Sequence, residues 1–325
     1  MNKSIKLIVN YFLGPLLFVI LLYTIYNQII NQPDLSQRWE QIKISWKRPF
    51  FWIAFIMLFI NWGVESLKWK KLISPLERFS FLQAFKAIMA GCSITMLLPN
   101  RMGEYGGRIM YVKDQNKIKA ISLTIIGSIS QLAITVLLGT IALVFLKYTV
   151  LSSNQIFSLS WMLSDAMLVI ALGASVFLLL LYFNTGLIVP YLSKIKRIEK
   201  FVKHFSVVDL IPRKQLLRIF FLSFLRYMIF TLQYVLLLHV MEVAIPMALC
   251  FWLVGIFYLM LAIIPTIGFT ELPIRATVIS LLLGVFSSNL IGIQAATFTI
   301  WVINLVIPAM IGSFFILRIK MIKER

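Results

Sequence analysis

LLPNRMGEYGGR, residues 97–108, interrupts a segment that is otherwise apolar enough to lie in a lipid bilayer. The preceding stretch, AIMAGCSITM, is mostly apolar, whereas the following stretch, IMYVKDQNKIKA, carries several charges. Proline lacks the backbone donor that a helix interior needs, and glycine has a low helix propensity. The apolar helix 79–98 is therefore predicted to end before Pro99, and a short second helix to begin near Gly103.

A second stretch, IIPTIGFTELPIR at residues 263–275, repeats this arrangement. The apolar segment 246–264 ends at Pro265, and a new helix is predicted over 270–283. In both stretches a glutamate precedes an arginine by four residues: Glu104 and Arg108 in the first, Glu271 and Arg275 in the second. Residues four apart share one face of a helix, so each broken helix carries a Glu–Arg pair.

The composition defines the class of protein. Hydrophobic residues make up 60% of the 325 residues, charged residues make up 13%, and the mean hydropathy is +0.92. A soluble domain could not bury that much apolar surface. Runs of the roughly 20 apolar residues needed to cross a bilayer are predicted at 8–30, 50–67, 120–147, 161–184, 217–240 and 290–318. We predict an all-α polytopic membrane protein, a helical bundle of six full spans plus two broken or re-entrant helix pairs.

The order of these elements suggests an internal repeat. Residues 1–150 and residues 151–325 each contain two spans, a broken pair and a final span. Each half crosses the membrane an odd number of times, so the second half is predicted to be inverted relative to the first. We expect one transmembrane domain over residues 1–325, with no soluble domain.

The formal net charge is +19, from 31 Lys and Arg against 12 Asp and Glu. Most basic residues fall within 65–120, within 194–218 and in the last residues of the chain. By the positive-inside rule these loops are cytoplasmic, which places both termini in the cytoplasm and the protein in the cytoplasmic (inner) membrane. The basic loops are expected to attract anionic lipid rather than nucleic acid. The loop 31–48 is predicted to lie outside, although it also carries basic residues.

The start of a helix inside a membrane directs unpaired N–H groups at whatever lies before it, which suits a phosphate or a carboxylate. Arg101, Arg108 and Arg275 add donors that match phosphate geometry. Arg226 lies midway along the span 217–240 and needs an internal partner, for which Glu271 is the first candidate. The alternative is structural, because an i,i+4 Glu–Arg pair on an exposed helix is common and contributes only about 0.2–0.5 kcal/mol.

Other polar residues in the spans have simpler interpretations. Asn61 and Glu65 lie on one face of the second span, followed by Lys68, and Glu65 is interpreted as a residue of the cytoplasmic interface. Ser128, Gln131 and Thr135 form a polar stripe that is typical of helix–helix contacts. The sequence contains no phosphate-binding GxxxxGK[ST], no HExxH and no GxSxG motif. We therefore expect no cofactor, no metal, no catalytic site and no ATP-driven step.

Four stretches resemble a known family: NWGVESLKWKKLI (61–73), LLPNRMGEYGGRIMYV (97–112), IIPTIGFTELPIRATVISLLLG (263–284) and IPAMIG (307–312). This is the flippase-like family named for the membrane region of lysylphosphatidylglycerol synthase. The resemblance marks Pro99, Arg101, Gly103, Glu104, Arg108, Pro265, Gly268 and Glu271 as substrate-binding positions. It implies a bundle with re-entrant segments. The chain departs from the family pattern at Asn100, Thr266 and Ile267, where glycine is usual, and at Trp301, where arginine is usual.

The family resemblance implies translocation of a phospholipid or a polyprenyl-linked lipid between the leaflets. The aminoacyl-transferring domain of the family is absent from this sequence, so we do not expect the chain to make a lysyl-lipid. Two alternatives remain open. One is an intramembrane transferase acting on a lipid carrier, with Glu104 or Glu271 as base. The other is a non-catalytic partner of another membrane protein. Whether the chain acts alone or as a homo-oligomer is also open.

Overall fold

The structure is a computed structural model that describes residues 14–32, 34–96, 102–149, 164–184, 206–264 and 270–323. Regular secondary structure in these ranges is helical throughout. The α-helices are α1 (Gly14–Ile30), α2 (Leu35–Ile44), α3 (Pro49–Ile73), α4 (Phe81–Thr95), α5 (Gly103–Ile109), α6 (Lys117–Thr149), α7 (Asp165–Phe183), α8 (Arg213–Val240), α9 (Met247–Ile263), α10 (Glu271–Leu283), α11 (Leu290–Trp301) and α12 (Ile307–Lys323).

Five helical segments are long and apolar enough to cross a membrane by length and composition: Pro49–Ile73, Asp114–Thr149, Asp165–Phe183, Arg213–Val240 and Leu290–Leu317. They correspond to five of the six predicted full spans, and the prediction of an all-α polytopic membrane protein is confirmed. The remaining predicted span, 8–30, is described from Gly14 onward, where α1 has 17 residues. Residues 8–13 lie outside the described ranges, so the total of six spans stays a prediction.

α3 and α8 pack along one another, and α8 also contacts α6, α9 and α11. α3 begins with Pro49 in its first turn, where the missing backbone donor of proline has no partner to lose. It continues to Ile73, beyond the end at residue 67 that hydropathy predicts. The extra turns contain lysines, which lower hydropathy but are good helix formers. Each of the two helices carries a fully buried aromatic side chain, Trp69 on α3 and Tyr234 on α8.

The first broken pair forms a tight hairpin. The capping box of Ser80 and Gln83 starts α4. α5 begins at Gly103, as predicted, and returns along α4. A Cβ atom on Gly103 would lie 2.1 Å from the Thr95 nitrogen, and one on Gly107 would lie 2.1 Å from the Gly91 nitrogen. Glycine is therefore required at both positions, because only a helix without side chains there can approach α4 so closely.

The second broken pair follows the predicted bounds closely. α9 ends at Ile263, and α10 spans Glu271–Leu283, one residue shorter than the predicted 270–283. The prolines at which the two breaks were predicted, Pro99 and Pro265, lie outside the described residues. α10 contacts α1, α9 and α11.

Contacts between the two halves are reciprocal. α12, the last helix of the second half, packs against α4, where a Cβ on Gly312 would lie 1.8 Å from the Met89 oxygen. α6, the last helix of the first half, packs against α9, where a Cβ on Gly139 would lie 2.6 Å from the Leu259 Cβ. An inverted repeat would produce such an exchange of equivalent contacts. The repeat over 1–150 and 151–325 nevertheless stays a prediction.

Two features were not predicted from the sequence. The loop 31–48 contains α2, a ten-residue helix with Trp39 exposed. The predicted span 290–318 is divided by a π turn, Val302–Val306, between α11 and α12. A single π turn inside an α-helical segment commonly marks a functional site, because it shifts the side chains that follow it around the axis.

Candidate functional site

A cavity of about 410 Å³ lies between the helices, within the size range of small-molecule sites. Its lining comes from α3, α5, α6, α8, α9, α10, α11 and the π turn. Seven charged side chains take part: Glu65, Lys68, Glu104, Arg108, Arg226, Glu271 and Arg275. Ionisable groups within membrane-spanning segments are expensive, so their concentration around one cavity marks this place as the candidate site.

Glu65, on α3, is the centre of the ionic contacts, and its side chain is 2% exposed. Its Oε1 accepts a hydrogen bond from Arg108 Nη2 at 2.9 Å. Its Oε2 accepts one from Arg226 Nη1 at 3.0 Å and lies 2.7 Å from Lys68 Nζ. One carboxylate thus joins α3, α5 and α8. Such buried, charge-assisted bonds are among the strongest polar contacts in proteins, and removal of one partner leaves an uncompensated charge.

Both arginines are held by further partners. Arg108 Nη2 also donates to Glu104 Oε2 at 3.0 Å, and its guanidinium lies 5.4 Å from the ring centroid of Trp69. The Arg226 guanidinium lies 5.1 Å from the ring centroid of Trp62. Cation–π contacts of this kind stabilise a desolvated guanidinium and fix its plane. The two arginines are therefore oriented by aromatic rings as well as by carboxylates.

A chain of amides continues the network away from Glu65. Arg226 Nε donates to Asn61 Oδ1 at 3.2 Å, and Asn61 Nδ2 donates to Asn304 Oδ1 at 2.9 Å. Asn304 Nδ2 donates to Gln233 Oε1 at 2.9 Å, and Gln233 Nε2 donates to the Ala54 carbonyl at 2.7 Å. Asn304 lies in the π turn, so the turn delivers an amide to the cavity wall.

The second Glu–Arg pair lines the same cavity. Arg275 donates to Glu271 Oε1 from Nε at 3.0 Å and from Nη2 at 2.8 Å. The two side chains are 21% and 10% exposed, respectively. The i,i+4 pairs predicted on α5 and α10 both form, and both face one space. That juxtaposition is the geometric condition on which the predicted headgroup site depends.

The predicted site residues fall into three groups. Glu104, Arg108, Arg226, Glu271 and Arg275 line the cavity. Gly103 is instead packed against the backbone of α4. Pro99, Arg101, Pro265 and Gly268 lie outside the described residues, so their placement stays a prediction.

One sequence-based interpretation is wrong, because Arg226 pairs with Glu65 rather than with Glu271. Glu65, which was interpreted as a residue of the cytoplasmic interface, is buried and contacts α5 and α8, and its position at that interface stays a prediction. Lys68 and Asn304 were not expected to be site residues. The spacing of Asn61, Glu65 and Lys68 on one helix face was the available signal, whereas no pattern pointed to the π turn.

The polar stripe of α6 serves two surfaces. Ser130 Oγ donates to Ser223 Oγ on α8 at 3.0 Å, and Gln131 Nε2 donates to the Ser223 carbonyl at 3.3 Å. Ser128, Gln131 and Thr135 also line the cavity. Ser130 and Gln131 thus hold α6 against α8, and the stripe of Ser128, Gln131 and Thr135 supplies neutral polar groups to the cavity wall.

Comparison with known proteins supports a family relationship over almost the whole chain. The model of the family described as lysylphosphatidylglycerol synthase TM region matches residues 11–312. The matched range includes every residue that lines the cavity. No curated protein and no solved structure matches the chain.

Proposed function

The chain belongs to the family of the lysylphosphatidylglycerol synthase transmembrane region, and we propose that it moves a lipid between the two leaflets of the cytoplasmic membrane. The observation that carries the proposal is the cavity shared by the Glu104–Arg108 pair of the first broken helix and the Glu271–Arg275 pair of the second. The headgroup would bind between these pairs.

The charged cavity would lower the free-energy cost of moving a headgroup across the membrane. A headgroup that crosses hydrocarbon without partners loses its hydration at a cost of several kcal/mol or more. In the cavity, arginines would replace water around a phosphate, and the glutamates that orient these arginines would also lie near an amine of the headgroup. The acyl chains would stay in the surrounding lipid while only the headgroup follows the polar path. A phospholipid and a polyprenyl-linked lipid are both compatible with this arrangement.

The α4–α5 hairpin fits a re-entrant segment. α5 has seven residues, too few to cross a bilayer, and it runs back along α4. We propose that the hairpin enters and leaves the membrane on one side. The basic loops would then lie in the cytoplasm beside anionic lipid, with both termini on that side.

The contacts favour translocation over catalysis. A transferase would need a base, but Glu104 Oε2 and Glu271 Oε1 each accept hydrogen bonds from an arginine, so these oxygens are engaged by a guanidinium rather than directed at a substrate proton. We therefore propose that the protein is not an enzyme and needs no cofactor. The drive would be a lipid gradient, a coupled ion or the membrane potential, which supplies about 2.3 kcal/mol per charge per 100 mV.

Headgroup protection in liposomes tests the proposal. The purified chain is reconstituted with phosphatidylglycerol carrying a fluorophore on one acyl chain, and a membrane-impermeant reductant bleaches the outer leaflet. Translocation predicts loss of the fluorescence that the inner leaflet protects in protein-free liposomes. Retained fluorescence with this lipid and with a labelled polyprenyl phosphate would refute the proposal. Formation of a new lipid product without exchange would favour a transferase, and neither result in folded protein would favour a non-catalytic partner.

A further inference from the structure

The two carboxylate oxygens of Glu65 are divided between cations from different helices. Oε1 accepts from Arg108 on α5, and Oε2 accepts from Arg226 on α8. A phosphodiester likewise presents two charged oxygens, and guanidinium groups bind both kinds of anion by the same geometry. Glu65 therefore occupies the place between the two arginines that a lipid phosphate would fit.

If the Glu65 carboxylate moved away from Arg108 and Arg226, the two arginines would keep their positions. Arg108 retains Glu104 at 3.0 Å, and Arg226 retains its Nε bond to Asn61 at 3.2 Å. Each guanidinium also keeps its cation–π contact with a tryptophan ring. An incoming phosphate would thus meet two donors that are already oriented, which lowers the entropic cost of binding.

Glu65 itself would keep a counter-ion. Lys68 lies one turn away on the same helix, with Nζ at 2.7 Å from Oε2, and is 2% exposed. Glu65 contacts three cations, Lys68, Arg108 and Arg226. The two arginines can therefore take up a phosphate while Lys68 keeps Glu65 paired.

We propose that Glu65 is an internal counter-ion that the phosphate of the lipid displaces from Arg108 and Arg226, and that Lys68 holds Glu65 while the phosphate is bound. This inference rests on the proposed translocation and specifies its substrate class as lipids with a singly charged phosphodiester. Return of Glu65 to the arginines expels the phosphate. A transport site must release its ligand as well as bind it, and an internal competitor provides that release.

Binding to the purified full chain in detergent tests the exchange. The probe is dihexanoylphosphatidylglycerol, and dihexanoylglycerol is the ligand without phosphate; affinities come from titration calorimetry. Glu65→Gln removes the competitor and is expected to tighten binding about tenfold, the value of one charge-assisted hydrogen bond. Loss of one negative charge would also tighten binding of an anion through the local electrostatic potential. This variant alone therefore does not distinguish the two explanations.

The deciding variant is Glu65→Gln with Lys68→Met, which has the same net charge as the wild type. If only the net charge matters, this variant should bind the probe with wild-type affinity. If Glu65 competes with the phosphate, the variant should bind about tenfold more tightly and should exchange lipid more slowly at saturating lipid. Glu40→Gln with Lys43→Met is the matched control, because Glu40 and Lys43 form an i,i+3 pair at 68% and 54% exposure. The control is expected to bind and exchange lipid as the wild type does.

The outcomes separate the inference from the function on which it rests. If the wild type binds and exchanges phosphatidylglycerol but the double variant binds it no more tightly, the counter-ion exchange is wrong and translocation stands. If the wild type neither binds nor exchanges phosphatidylglycerol, the counter-ion exchange fails, and translocation fails with it only if the labelled polyprenyl phosphate is not exchanged either. Equal affinity for dihexanoylglycerol also overturns the inference. Should the double variant not fold, Glu65→Gln is compared with Glu104→Gln, which removes the same charge from beside Arg108. Tighter binding of phosphatidylglycerol by Glu65→Gln alone supports the inference, and equal tightening in both variants overturns it.

Discussion

Asn61 on α3 and Asn304 in the π turn are joined by a hydrogen bond of 2.9 Å. The bond places the widened turn of the last span beside the helix that carries Glu65. Because Asn61 also accepts from Arg226 Nε, the conformation of the π turn is linked to the orientation of a cavity arginine. The turn is therefore part of the site rather than an irregularity in a span.

Asn304→Leu should loosen this link. The substitution leaves the amides of Asn61 and Gln233 each without one partner, at about 1–3 kcal/mol per buried group. We expect a lower unfolding temperature in detergent and slower lipid exchange in liposomes. Asn31→Leu, which changes an exposed amide at the end of α1, serves as the control. Wild-type exchange by Asn304→Leu would show that the π turn does not orient the site.

Two adjacent glycines give a sharp test of the hairpin. Gly107→Ala would place a Cβ 2.1 Å from the Gly91 nitrogen, so α5 must separate from α4. A methyl group added at Gly106 would have Ile94 Cδ1 as its nearest neighbour, at 3.8 Å, so alanine there should stabilise the helix by up to about 1 kcal/mol. The unfolding temperature in detergent should therefore fall below that of the wild type for Gly107→Ala and rise above it for Gly106→Ala. Similar unfolding temperatures would contradict the close hairpin.

Arg108→Ala is expected to destabilise the fold as well as to abolish exchange. Arg108 is 4% exposed and is bonded to two carboxylates, those of Glu65 and Glu104. Loss of one partner of a buried ion pair typically costs about 3–5 kcal/mol. Denaturant unfolding measures the difference, and Arg213→Ala, at an exposed position, is the control. Equal stability of the two variants would mean that Glu65 does not depend on Arg108.

Glu271→Gln tests the second Glu–Arg pair. Glu271 is 7% exposed and is paired with Arg275, so its replacement by a neutral amide should lower the free energy of unfolding by about 1–3 kcal/mol. Lipid exchange is expected to fall about tenfold, because the cavity loses one charge-assisted contact. Glu242→Gln, which alters an ion pair with Arg48 away from the cavity, should exchange lipid normally. Unchanged exchange by Glu271→Gln would remove α10 from the site.

Local features of the fold were readable from the sequence. The start of α5 at Gly103 follows from glycine and proline chemistry, and the two Glu–Arg pairs follow from helical spacing. Such features depend only on neighbours along the chain. The pairing of Arg226 with Glu65 depends instead on how α8 is rotated against α3, which a single sequence does not encode in any spacing rule.

The burial of Glu65 escaped prediction for a related reason. Hydropathy falls at Lys68, Lys70 and Lys71 and so predicts an end of the span near residue 67, although helix propensity carries α3 on to Ile73. The π turn gave no signal because its five residues, Val302–Val306, are as apolar as their surroundings except for Asn304. Sequence reasoning thus located the two Glu–Arg walls of the cavity and missed the carboxylate at its centre.

The backbone contact between Gly312 and Met89 also determines the surroundings of the hairpin. α12 covers one flank of α4 so closely that no acyl chain fits between them, and α6 contacts α5 on another side. A helix of seven residues leaves most of its terminal amide and carbonyl groups without internal partners, and hydrocarbon offers none in return. α12 and α6 together thus cover the α4–α5 hairpin with protein on two sides.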